Sequence, residues 1–284
     1  MDTPVPTGGA SNPIGVFDSS VGGLSVLRAL HEELPQEQFI YVGDSGHAPY
    51  GERDDTHVLQ RSRAIADYLV AHHHIKTLVV ACNTATASAI QQLRQAYPDL
   101  PIVGIEPALK PASLKSRTRK VGVMATRGTL RSEKFNGLLD ALKGSCEFVL
   151  QPCDGLADAI EHAEVEKIDA LCKTYVQHMG PYGDAPGHID TLVLGCTHYP
   201  FVSATLQELA GAGVSLLDAG APVAQQTRRL LERAGTLAQD ANNPVHAAKS
   251  TTYLTTGEPV LLRQALGKWL GTDAEVVAFS DHIT

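Results

Sequence analysis

Two cysteines stand where a thiol can do chemistry. Cys82 lies in "VVACNTATAS", at the end of an apolar run and ahead of small polar residues, and Cys196 lies in "TLVLGCTHYP" in the same layout. A strand that runs into a helix leaves its last residue beside unpaired amide N–H groups and the positive end of the helix dipole, which favours thiolate over thiol. A lone cysteine at such a place ordinarily serves as a small hydrophobe. Two in matching contexts, each followed by hydroxyl or amide side chains, point instead to working thiols. Facing thiols have a natural use: one, as thiolate, takes a proton from a stereocentre, and the other, as thiol, delivers a proton to the opposite face. The two exchange roles in the reverse direction, so the scheme calls for no cofactor. Cys146, Cys153 and Cys172 lack this context and read as packing or surface residues.

Other polar residues fall beside the thiols if apolar runs are strands, because ligands of doubly wound sheets bind outside the carboxyl ends of the strands. "FDSSVGG" (17–23) puts Asp18 and Ser19 at such an edge, with a glycine pair that permits close backbone approach to an anion; capping of the next helix by Ser19 or Ser20 is the alternative use. The segment is not a phosphate loop, since it has neither GxGxxG nor a following Gly-Lys-Ser/Thr. "GDSGHAPYG" (43–51) is too rich in Gly and Pro to extend a strand and reads as a loop whose Pro49, Tyr50 and Gly51 close over a small ligand. No metal site is expected, because "HHH" (72–74) has no carboxylate or cysteine at ligand spacing. A phosphatase-type Cys-x5-Arg is missing at both thiols, and a hydrolase with one nucleophile leaves the second thiol unexplained.

The elements that must position these residues are legible as continuous apolar runs: "PIGVF", "FIYVG", "TLVVA", "PIVGI", "KVGVM", "EFVLQ", "TLVLG", "VSLLD", "TTYLTT" and "EVVAF". Apolarity without alternation implies strands covered on both faces, as in parallel sheets. Between them, "GGLSVLRALHEEL", "RSRAIADYLVAHHH", "TASAIQQLRQAY" and "PVAQQTRRLLERA" carry apolar residues at helical spacing, so the fold class is α/β. Two echoes run through the chain: "IGVFDS" with "VGVMAT", and "LVVACNT" with "LVLGCTH". They keep their order, and 67 residues separate Gly15 from Cys82 where 74 separate Gly122 from Cys196. Two similar lobes, each presenting one cysteine at a strand end, account for this, although Gly-Val-apolar strands are common in α/β proteins and such pairs also arise by chance.

With 284 residues, 43% of them hydrophobic, the chain has ample material for one large or two ordinary domains. A net charge of -8 argues against a general nucleic-acid or membrane binder. Five cysteines at irregular spacing suit a reducing, cytoplasmic setting. The opening "MDTPVPTGGASNP" lacks the features of a secretory signal and reads as a frayed tail, and no run approaches the roughly 20 apolar residues of a membrane helix.

Taken together, "DSSVGGLSVLRAL", "GDSGHAPYG", "ACNTATA", "GVMATRGT", "LGCTHYPF" and "TTGEP" resemble the glutamate racemases, in the order of that family and from about residue 14 onward. The resemblance implies two pseudo-symmetric three-layer α/β lobes with mostly parallel sheets and an active site in the cleft between them. The first lobe would comprise 1–106 plus 221–284 and carry Cys82; the second, inserted at 107–220, would carry Cys196. It further implies interconversion of L- and D-glutamate without pyridoxal phosphate, supply of D-glutamate for peptidoglycan, and a homodimer. By position, Cys82 resembles the thiol that takes the α-proton of D-glutamate and Cys196 the one that takes it from L-glutamate. Asp18 would assist Cys82, and His198 would assist Cys196. Ser19, Pro49, Tyr50, Gly51, Asn83, Thr84, Thr126 and Thr197 correspond to residues holding the substrate's ammonium and carboxylates, and Glu161, in "LADAIEHAE", to a further acid near the second thiol. One departure is Ser20, where the family usually has glycine. If that position takes positive φ, serine costs roughly 1 kcal/mol. Aspartate racemase and other two-thiol racemases share these features, and a non-catalytic two-lobed amino-acid binder is the alternative from another class.

Overall fold

The structure, a computed structural model, describes residues 9–238 and 251–279; residues 1–8, part of the opening segment expected to be a frayed tail, lie outside them. The described residues form two compact units, one of residues 9–50, 54–105, 220–238 and 251–279, the other of residues 51–53 and 106–219. Each is built on an open parallel sheet.

The first unit contains β1 (Ile14–Asp18), β2 (Phe39–Gly43), β3 (Thr77–Val80), β4 (Ile102–Gly104), and near the end of the chain β9 (Thr251–Thr255) and β10 (Val276–Ala278). They lie in the order β10-β9-β2-β1-β3-β4, all parallel. Helices α2 (Asp55–His73) and α3 (Asn83–Ala96) pack on one face, sharing a core with Phe17, Val42, Leu78 and Val80. Alternate strand positions such as Val16, Tyr41 and Val79 are equally buried, and helices α1 (Leu24–Glu33) and α10 (Gly220–Ala234) pack together against the sheet. Burial on both faces is the reason β1, β2 and β3 read as unbroken apolar runs; β10, at the sheet edge, is largely exposed. Helix α2 starts six residues before the apolar period of "RSRAIADYLVAHHH", because Asp54 caps it by accepting from the His57 amide at 2.8 Å.

The second unit holds β5 (Lys120–Ala125), β6 (Glu147–Pro152), β7 (Thr191–Gly195) and β8 (Ser215–Leu217), in the parallel order β6-β5-β7-β8. Among its helices are α4 (Leu109–Lys115), α5 (Arg127–Arg131), α6 (Glu133–Ala141), α7 (Leu156–Glu161), α8 (Val165–Met179) and α9 (Ser203–Ala210). Leu109, Val121, Val123, Phe135 and Val193 form a core of its own.

The sequence echoes reappear as shared topology. The order β2-β1-β3-β4 in one sheet corresponds to β6-β5-β7-β8 in the other. The register agrees as well, with Gly15 beside Leu78 in the first and Gly122 beside Leu192 in the second. Both glycines are pressed by apolar neighbours: an added Cβ would stand 2.9 Å from Ile75 Cδ1 at Gly15 and 2.9 Å from Leu192 Cδ1 at Gly122. No described helix is long and apolar enough to cross a membrane.

Candidate active site

The first cluster of candidate side chains gathers at the carboxyl edge of β1 and β3. Asp18 ends β1 fully buried, and its Oδ1 accepts from the Ser20 amide at 2.9 Å. Ser19 Oγ lies 3.5 Å from the same oxygen, and the Cys82 thiol donates to Ser19 Oγ at 3.8 Å, so Ser19 links the thiol to the carboxylate. Cys82 is the N-cap of α3, with extended backbone, and its sulfur accepts from the Ala85 amide at 3.4 Å. The strand-to-helix junction expected from the sequence is therefore present at Cys82. Asn83 and Thr84 occupy the first helical turn and are buried, and Asn83 Oδ1 has no hydrogen-bond partner in the protein.

Space beside Asp18 is kept by Gly23, which takes an ordinary helical φ of −60°. A Cβ there would meet Asp18 Cβ at 2.6 Å and Tyr41 Oη at 3.0 Å. The conditional cost of serine at position 20 does not arise. Among the described residues other than glycine only His74, Arg119 and Ala163 have positive φ, and Ser20 is held by its amide bond to Asp18 and by Tyr41 Oη, which donates to its carbonyl at 2.7 Å.

The 43–51 segment is more ordered than a Gly- and Pro-rich loop suggests, with 3₁₀ turns at Ser45–His47 and Tyr50–Glu52. Pro49 is exposed, whereas Tyr50 is buried in the same core as Cys82 and donates its hydroxyl to Asp44. Burial, then the adjacent Asp44, and to a lesser degree Cys82 hold the Tyr50 phenol well above its usual range, with Arg61 opposing. Gly51 falls in the second unit, where an added Cβ would stand 3.1 Å from Thr126 Cβ.

The second cluster forms where β7 ends. Cys196, Thr197 and His198 are all buried. His198 Nδ1 lies 3.7 Å from Cys196 Sγ, and its Nε2 lies 3.5 Å from Glu161 Oε2 at the end of α7. Burial alone would lower the His198 pKa; the contacts with Cys196 and Glu161 outweigh it and raise the imidazole well above its usual range. Cys196 differs from Cys82 in the element it leads into: a 3₁₀ helix, Tyr199–Val202, precedes α9, so Cys196 does not cap an α-helix. Proline at position 200 is compatible with the first turn of such a helix, and the stabilising partner of the sulfur is the imidazole rather than a helix amide. Thr126 caps α5, where its hydroxyl accepts from the Thr129 amide at 3.2 Å.

Burial raises the thiols of Cys146, Cys153 and Cys172, that of Cys172 to about 11. Among the described residues, no cluster of His, Cys, Asp and Glu has the arrangement of a metal site. Sequence reasoning passes over Asp44, Arg61 and Thr256. Asp44 stands one residue beyond the end of β2, the edge at which Asp18 ends β1, and that position is the available signal.

With this geometry in view, the relationship to known proteins is direct. Residues 14–227 match the family model described as Asp/Glu/hydantoin racemase, most of the chain and both thiol clusters. The chain belongs to this racemase family. Its relatives include a glutamate racemase of Ectopseudomonas mendocina (strain ymp), 45% identical over 269 residues that span 94% of this chain and 98% of the relative. A crystal structure of a glutamate racemase isoform from Bacillus anthracis superposes with a TM-score of 0.82 at 29% identity, covering 95% of this chain and 98% of that one. One from Francisella tularensis, in complex with D-glutamate, has a TM-score of 0.81 at 25% identity over 97% of this chain and all (100%) of that one. As a member of the racemase family the chain is an isomerase, and its two parallel sheets are the family fold.

Proposed function

We propose that the chain interconverts L- and D-glutamate without a cofactor, using Cys82 and Cys196 as the two proton-transfer groups. The observation that carries the reading is the repetition of one arrangement in two sheets that share a four-strand order. Each sheet places a buried cysteine just past the end of a strand with its own polar chain, Cys82–Ser19–Asp18 in one and Cys196–His198–Glu161 in the other. In the L to D direction the Cys196 thiolate takes the α-proton, and the electron pair of the broken C–H bond delocalises into the adjacent carboxylate. The Cys82 thiol then gives its proton to the α-carbon, leaving Cys196 as thiol and Cys82 as thiolate; from D-glutamate the roles reverse.

The surroundings suit that chemistry. His198, whose imidazole is raised well above its usual range, sits 3.7 Å from the Cys196 sulfur, and the Ala85 amide at a helix N-terminus donates to the Cys82 sulfur, so each sulfur has a polar partner beside it. The unpaired Asn83 Oδ1 is an acceptor suited to the substrate ammonium, since a buried polar atom left without a partner is costly. Ser19, Pro49, Tyr50, Gly51, Thr84, Thr126 and Thr197 complete the proposed substrate contacts. The relatives named glutamate racemase, and the related structure holding D-glutamate, support glutamate as the substrate. On this reading the lobes are 1–106 with 221–284 and 107–220, the enzyme works in the cytoplasm as a homodimer, and its D-glutamate supplies peptidoglycan.

The test is incubation with L-glutamate in deuterated water without pyridoxal phosphate, followed by circular dichroism and α-proton NMR. Loss of optical activity with deuterium entering at the α-carbon is expected. Turnover of L-aspartate but not L-glutamate would move the substrate by one methylene, a discrimination worth only about 1–3 kcal/mol. Silence with both would leave an amino-acid binder.

A further inference from the structure

The most heavily hydrogen-bonded carboxylate beside the first cluster belongs to a residue that the proposed reaction does not use. Asp44 is fully buried, and its side chain accepts from three separate parts of the first unit. Arg61, on α2, grips it with two parallel bonds, Nε to Oδ2 at 3.0 Å and Nη2 to Oδ1 at 2.9 Å. Thr256, just past the end of β9, donates its hydroxyl to Oδ1 at 2.7 Å, and Tyr50 donates its phenol to Oδ2. His47 Nδ1 stands 3.2 Å from Oδ1. The Asp44 amide donates in turn to the carbonyl of Asp18 at 3.0 Å. A carboxylate so saturated has no lone pair to spare for proton transfer; it is a fixed point to which other groups are tied.

The same contacts explain the "TTGEP" segment, which carries none of the proposed substrate contacts. Thr256 Oγ1 also accepts from the Gly46 amide at 3.1 Å. The two turns are in close contact: a Cβ on Gly46 would stand 2.7 Å from the Thr256 carbonyl oxygen, and one on Gly257 3.1 Å from the Gly46 nitrogen. The turn after β9 thus clamps the 43–48 segment from one side while Arg61 holds Asp44 from α2.

We propose that Asp44, anchored by Arg61 and Thr256, is a positioning residue that fixes Tyr50 beside Cys82 and thereby sets the grip of the 49–51 segment on the substrate. The inference rests on the proposed racemase reading for its substrate, but the positioning of Tyr50 can be read without it. A hydroxyl tied to a buried, fully bonded carboxylate holds the Tyr50 ring against the core that contains the Cys82 sulfur. Loosening that tie weakens binding while the thiols and their partners remain in place, so the effect falls on KM rather than kcat.

The experiment uses the full chain with Thr256→Val, Thr256→Ser, Arg61→Lys and Tyr50→Phe. Thr256→Val and Arg61→Lys should each raise KM for glutamate about tenfold with kcat within about twofold. Thr256→Ser, which restores the hydroxyl, should recover most of that loss. Thr256→Val should add little on a Tyr50→Phe background, because both changes break one chain of contacts. Independently of turnover, iodoacetamide should alkylate Cys82 about tenfold faster in Thr256→Val than in the parent, read by peptide mass spectrometry. An unchanged KM, a full additional rise on the Tyr50→Phe background, or an unchanged alkylation rate would overturn the positioning role. A parent enzyme that turns over no glutamate but shows the alkylation difference would overturn the substrate reading and leave this inference standing.

Discussion

At the level of single residues, the proposed reaction gives the two cysteines equal weight, and this can be tested one atom at a time. Cys82→Ser and Cys196→Ser should each lower racemisation by about 10²- to 10⁴-fold, the usual contribution of a positioned acid or base. The far-UV spectrum should be unchanged, since sulfur to oxygen alters little volume. Turnover within a few-fold of the parent in either variant would remove that thiol from the mechanism. His198 offers a second test, through pH. Its folded-state pKa lies above the ordinary value of 6.5, so the stability it contributes is complete below that value and is lost as pH rises through the folded pKa. Glu161→Gln should therefore destabilise the protein by about 1–3 kcal/mol at pH 6 and by clearly less at a strongly alkaline pH, above the folded-state pKa of His198, measured by denaturant titration. An equal loss at both pH values would mean that Glu161 does not act through a charged His198. The thiols are legible in the sequence because a strand end followed by small polar residues is a local pattern. Arg61 is not, because it lies on a helix 17 residues beyond the carboxylate it holds, and only the packing of α2 brings the two together.

At the level of elements, every apolar run quoted from the sequence forms a strand among the described residues; in the central strands burial on both faces leaves no polar alternation to confuse the pattern, while β6, β8 and β10 keep their apolar runs although they are only partly buried. Helix starts are less legible. The first turns of α2 are polar and rest on the Asp54 cap. The two cysteine strands, similar in sequence, feed different structures, an α-helix after Cys82 and a 3₁₀ helix after Cys196. From sequence alone the glycine pair at 22–23 suggests room for an anion; the space at Gly23 is instead taken by Asp18 and Tyr41. Gly23→Ala should accordingly cost about 1–3 kcal/mol in unfolding free energy and lower activity by displacing Asp18. Thermal or chemical denaturation measures the first and the deuterium assay the second, and a variant as stable and active as the parent would show that β1 and α1 shift freely.

At the level of the whole molecule, composition does not separate the two units, since both are made of the same apolar parallel strands; the expected boundaries come from the resemblance, not from periodicity. Within the first unit, distant parts of the chain converge on one buried ion pair. Lys76 Nζ lies 2.6 Å from Glu37 Oε2 and donates to the carbonyls of Ala10 and Thr236, while Glu37 accepts from the Ala238 amide. The pair thus ties the approach to β1, the entries to β2 and β3, and the exit of α10. Lys76→Met should cost about 3–5 kcal/mol, since it leaves a carboxylate buried without its counter-ion, and Lys76→Met with Glu37→Leu should recover much of the loss. Chemical denaturation of the three proteins checks this, and a single-variant loss below about 1 kcal/mol would show the pair to be dispensable.

The place of β9 has a consequence for how the protein is made. It lies in the sheet between β2 and β10, yet it is synthesised last but one of the ten described strands, after the whole of the second unit. A ribosome adding about 5–20 residues per second completes residues 106–219 several seconds before β9 emerges. During that interval β2 has an open edge of five buried-type residues, Phe39–Gly43, that only β9 covers in the finished sheet. The unit inserted in the middle can fold while the amino-terminal one still waits for its last strands, and that waiting edge is where a chaperone or a second nascent chain would take hold.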